Sequence, residues 1–150
     1  MISNLIWIDS EIDNAENTNY AKELELISSL RLRLFKSVDK AINYMKLIEF
    51  QETKIIISDL LYSEFIKKFK KNIIDMCIAP KVIIFAKNKE RFIQMNKEYE
   101  NINNKFYTFG GIATTFNEVK KFVKTEFKSK KFEELDDTQL TFECIDKKEK

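Results

Sequence analysis

The sequence predicts a three-layer α/β fold, a parallel five-stranded sheet of order 2-1-3-4-5 with helices on both faces. Three observations predict it. Lys54-Ile55-Ile56-Ile57-Ser58-Asp59 is apolar and β-branched on both faces until it ends in a hydroxyl and a carboxylate, as in a central strand covered above and below. Asn4-Leu5-Ile6-Trp7-Ile8-Asp9 repeats that design, terminal aspartate included. Short apolar runs then alternate five times with stretches of helical spacing, which calls for right-handed crossovers and a parallel sheet.

Taken in order, residues 4–9 form the first strand, followed by a polar, acidic loop from Ser10 to Glu16. Asn17 or Thr18 caps a helix with Tyr20, Leu24 and Ile27 on one face. Leu30-Arg31-Leu32-Arg33-Leu34-Phe35 alternates strictly, which marks an edge strand whose two arginines are solvated charges or contacts for an acidic partner. Ser37 caps a helix carrying Val38, Ala41, Ile42, Met45 and Ile48 and ending near Phe50. Residues 54–59 are the central strand. A helix from about Ser63 turns Phe65, Ile66, Phe69 and Ile73 inward, and Pro80 stops any further helix. Lys81-Val82-Ile83-Ile84-Phe85 is another buried strand, and Asn88 caps a helix bearing Phe92, Met95 and Tyr99. Lys105 to Phe109 is a fifth strand broken by Gly110-Gly111, which suit a tight turn with positive φ. Thr115 and Glu118 have capping-box spacing ahead of a helix with Val119, Phe122, Val123 and Phe127. Residues 1–127 thus make one α/β domain. Residues 128–150 break into charge blocks, a linker or tail, or the lead into a further domain of a longer protein.

Composition narrows the function classes. A net charge of +2 gives no electrostatic case for binding nucleic acid. Two glycines cannot build a glycine-rich phosphate loop, and the absence of histidine excludes histidine triads and histidine metal sites. Cys77 and Cys144 match no metal or redox spacing. No apolar run approaches the ~20 residues of a membrane span, and the start of the chain has no signal-peptide pattern. A cytoplasmic setting is expected, with no membrane partner.

With Asp9, Asp59 and the fivefold rhythm in hand, residues 4–127 resemble the flavodoxin-like receiver domain of two-component response regulators. The resemblance implies that Asp59 stands in the place of the strand-3 aspartate that accepts a phosphoryl group. It implies that Asp9 is the first of the strand-1 acids that hold Mg²⁺. Receivers also close strand 4 with Thr or Ser and strand 5 with Lys, which contact the phosphoryl oxygens. Here Ser10 stands where the second strand-1 acid is expected, Ala86 (beside Lys87) at the strand-4 hydroxyl, and Gly110-Gly111 at the strand-5 lysine. These departures resemble an atypical receiver, or pseudo-receiver. Ile6-Trp7-Ile8-Asp9 is also similar to receiver-like leading domains of large eukaryotic multidomain proteins.

The expected function is therefore non-enzymatic: a receiver-like signalling module that binds a protein partner or an attached effector domain and uses no cofactor. Receivers commonly meet partners on the face of the fourth helix and fifth strand. Tyr99, Tyr107 and Phe109, with Lys87, are the binding candidates there. One alternative is a Mg²⁺-dependent phospho-acceptor at Asp59, with Asp9 and Asp59 as metal ligands. Glu11 or Asp13 would then replace the missing acid and Lys87 the missing lysine. A third class is a small-ligand sensor using the crevice near Asp9 and Asp59. Both aspartates equally suit a plain structural role, accepting hydrogen bonds from free amides of the βα turns.

Overall fold

The computed structural model describes residues 3–48, 51–72, 79–96 and 108–124. Among them, strands and helices alternate as Ser3–Ile8 (β1), Ala15–Ile27 (α1), Arg31–Phe35 (β2), Val38–Met45 (α2), Glu52–Ser58 (β3), Tyr62–Asn72 (α3), Lys81–Phe85 (β4), Lys89–Met95 (α4), Thr108–Ala113 (β5) and Phe116–Lys124 (α5). A short 3-10 turn, Asp59–Leu61, joins β3 to α3. The strands make one parallel sheet of order β2-β1-β3-β4-β5, a flavodoxin-like α/β fold. Among the described residues no helix is long and apolar enough to cross a membrane.

Strand alternation sorts the apolar side chains onto two faces. Ile6, Ile8, Ile55, Ile57, Val82 and Ile84 pack with Ala41 and Met45 of α2 and with Phe65 and Phe69 of α3. Leu5, Trp7, Ile56 and Ile83 meet Ala21 and Leu24 of α1 and Val119 and Val123 of α5. Ile55, Ile56 and Ile57 have no exposed surface, and burying each such side chain contributes about 1.5–3 kcal/mol. The three-isoleucine run is stable only inside such a sandwich.

Several local expectations change. Asn14, not Asn17 or Thr18, caps α1: its Oδ1 accepts the Asn17 N–H at 2.7 Å, so the helix starts at Ala15. Asn17 is buried instead, donating Nδ2 to the Glu11 carbonyl at 2.9 Å. β3 runs from Glu52 and stops at Ser58, leaving Asp59 in the turn. In α4, Phe92 is buried but Met95, at the helix end, is 70% exposed. Ser37 and Asn88 cap α2 and α4 as expected. Phe50, Ile73, Cys77, Tyr99, Tyr107, Phe127, Cys144 and the 128–150 segment lie outside the described residues.

The fifth strand moves furthest. It spans Thr108–Ala113 and runs through the glycines that were expected to end it. A Cβ on Gly110 would lie 2.9 Å from the Val82 carbonyl oxygen, so only glycine lets the two strands approach. Gly111 has φ +115° and sits at an irregularity in the β4–β5 register, a bulge that places Ile112 and Ala113 in the core.

Two lysines enter the core at the opposite end of the sheet, paired in register as Lys54 and Lys81. Lys54 donates Nζ to the Val123 carbonyl of α5 at 2.5 Å, a cation at a helix carboxyl terminus. Burial, and then the neighbouring Lys81 charge, holds its ammonium below the ordinary lysine range.

Replacing Gly111 with alanine forces a side chain into that left-handed conformation and brings Cβ within 3.1 Å of the Phe122 ring. The expected loss is about 1–3 kcal/mol, read from urea unfolding.

Candidate functional site

A parallel sheet brings the carboxyl ends of all its strands to one edge, and the crevice forms where the chain crosses over between β1 and β3. Ile8 stands opposite Ile57, so Asp9 lies beside Ser58 with Asp59 one residue further on. Ser58 pairs with Phe85, and Phe85 with Ala113, so the next residues out are Asp59, Ala86 and Thr114. The Ala86 N–H donating to the Ala113 carbonyl at 2.9 Å holds that last register.

The resulting crevice has a volume of about 320 Å³. Asp9, Glu11 and Asp59 stand on the β1–β3 side, Lys87 and Asn88 come from the β4–α4 connection, and Arg91 from the first turn of α4. Asp9, Asp59 and Lys87 therefore line one crevice. Phe109 is 37% exposed on β5 and is not among the residues lining it. Tyr99 and Tyr107 lie outside the described residues.

The two aspartates differ. Asp9 accepts the Glu11 N–H on Oδ1 at 2.9 Å, closing the β1–α1 turn. Burial raises its carboxyl above the ordinary value; the Glu11 amide lowers it, the Glu11 and Asp59 charges raise it, and Lys87 lowers it. Asp59 does not cap its turn: the Ser58 hydroxyl accepts the Leu60 N–H at 3.4 Å. Asp59 is one of the residues that line the crevice.

The groups expected to assist them are placed unevenly. Glu11 lines the crevice, whereas Asp13 pairs with Lys36 at 2.6 Å. Lys87 is 84% exposed and lies 3.9 Å from Glu16. At the strand-4 position Ala86 presents only a buried methyl group. The bulge advances β5, so Thr114 rather than Gly110-Gly111 stands beside Ala86 at the strand-5 position. The Thr114 hydroxyl and amide both donate to the Glu118 carboxylate, at 2.6 and 2.9 Å. Glu118 thus bonds Thr114 rather than Thr115, whose Oγ1 accepts the Glu118 N–H at 3.3 Å.

Among the described residues no group of three or more acidic or cysteine side chains could hold a metal ion. Of the acids that line the crevice, Asp9, Glu11, Glu16 and Asp59, no three are grouped as a metal site. On the β4 and β5 side, Ala86 has no hydroxyl and the Thr114 hydroxyl donates to Glu118. Ser58, Asn14, Asn17 and Arg91 were missed as lining residues. For Arg91 a signal existed, since it sits three residues after the Asn88 cap.

Models of protein families, curated proteins and solved structures, each compared with the chain, yield no match.

A carboxyl whose folded pKa is raised binds its proton more tightly folded than unfolded. Asp9 therefore costs stability as pH rises from the ordinary carboxylate value of 3.8 through its higher folded value, and the cost is constant above that. Asp9→Asn keeps an oxygen for the Glu11 amide. It is expected to raise the melting temperature at neutral pH and to leave it unchanged below the carboxylate range, as followed by circular dichroism. An equal rise under both conditions would eliminate charge burial as the cause.

Proposed function

We propose that the chain is a non-catalytic, receiver-like regulatory module that acts by binding a protein partner or an attached effector domain. One observation carries this reading: beside Asp59 the end of β4 holds the Ala86 methyl group, and beyond it β5 ends in a Thr114 already bonded to Glu118. Phosphorylating an aspartate concentrates negative charge, which must be met by positioned donors and cations while the bond forms. At this crevice the nearest substitute, Lys87, extends toward Glu16. Such a sheet edge retains the shape of a switch point, while its β4 and β5 ends offer no free hydroxyl or lysine beside Asp59.

The phospho-acceptor alternative keeps one point in its favour, that Asp59 and Asp9 line the same crevice. It predicts a cation-dependent response at the site. The small-ligand alternative predicts saturable thermal stabilisation by a compound that fills the crevice.

Trp7 is the only tryptophan, is fully buried, and lies two residues before Asp9. Its fluorescence is the probe for a Mg²⁺ titration with and without beryllofluoride. The expected result is no saturable change, with identical traces for wild type and Asp59→Asn. A Mg²⁺-dependent transition that disappears in Asp59→Asn would overturn the proposal in favour of a phospho-acceptor.

A further inference from the structure

We propose that β2 is a docking strand for an extended acidic segment of a protein partner, added to the sheet edge with its carboxylates beside Arg31 and Arg33. This rests on the reading of the chain as a protein-binding module and names the chemistry of its partner.

The two edges of the sheet are built differently. β5 is broken by the bulge at Gly110-Gly111, a device that spoils an edge for further pairing. Among the described residues β2 pairs only with β1, in unbroken register from Asn4 opposite Arg31 to Ile8 opposite Phe35. It contains no proline and no bulge, so its other side presents a regular template.

Alternation puts Arg31, Arg33 and Phe35 on the α2 face, where Phe35 packs beside Tyr44 with ring centroids 5.7 Å apart. Leu32 and Leu34 take the α1 face, and Leu34 is 43% exposed. Both arginines are exposed, and among the described residues neither is in an ion pair. The Arg33 guanidinium folds back onto the Leu32 carbonyl at 3.0 Å. A carboxylate on an added strand, ionised and able to accept two such bonds, competes well for that group.

Charge chooses the occupant. A second copy pairing through β2 would bring four arginines together on adjacent strands, where like charges are destabilising. A strand with acids at alternate positions places each carboxylate on the arginine face and apolar residues beside Leu34. The edge therefore rejects its own kind and accepts an acidic partner.

The test uses the full chain and a short fluorescein-labelled peptide of alternating glutamate and valine, followed by fluorescence anisotropy. Saturable binding is expected, weakened about tenfold or more in Arg31→Glu/Arg33→Glu, which instead binds a lysine–valine peptide. N-methylating alternate amides of the peptide, which removes the donors a strand needs, is expected to abolish binding. Three results would overturn the proposal: no binding, equal binding of the N-methylated peptide, or unchanged binding by the double variant. Circular dichroism establishes that the variant is folded. The beryllofluoride titration reads the crevice and not this edge, so each reading fails on its own measurement.

Discussion

Ile55, Ile56 and Ile57 are the constraint on which the rest of the structure depends. Side chains on successive strand residues point to opposite faces, so three consecutive buried isoleucines need apolar cover on both sides. That cover requires helices above and below, and parallel neighbours joined by crossovers supply them. With α2 and α3 on one face and α1 and α5 on the other, the carboxyl ends of β1, β3 and β4 converge. The crevice is a by-product of covering the core. Its acids are the residues at which the buried strands run out.

Period and caps made much of the fold legible in advance. The apolar runs of β1, β3 and β4 have no competing interpretation as exposed structure, and the alternation of β2 marks an edge. Ser37 and Asn88 lie directly before helical stripes and bond the third amide onward. Asn14 was obscured because Asn17 is equally suited to capping, and the choice depends on Asn17 being buried against Glu11. The path of β5 could not be read because glycine ordinarily ends a strand. Here the close approach of Val82 requires glycine within one. That single bulge changed which residue stands beside Ala86.

The site was legible only in part, for a related reason. Strand ends are determined by register, so the shared crevice of Asp9 and Asp59 is a consequence of the sheet. Lys87 and Arg91 have long side chains whose direction is set by neighbours such as Glu16, which no pattern announces. The hydrogen bonds of Thr114 to Glu118 show the same thing: a hydroxyl near a candidate site is already committed to starting a helix. Sequence places backbone; electrostatics and capping decide which groups remain available for chemistry.

The bond from Lys54 to Val123 joins residues 69 positions apart, between the central strand and the last turn of α5. A ribosome delivers the chain from its amino end, so β1, β2 and β3 emerge well before that carbonyl exists. Until Val123 arrives, the Lys54 ammonium, drawn toward the core by the isoleucines beside it, lacks this acceptor. The middle of the sheet is thus completed from the far end of the domain. A chain cut before Val123 would leave the central strand without this tie to α5.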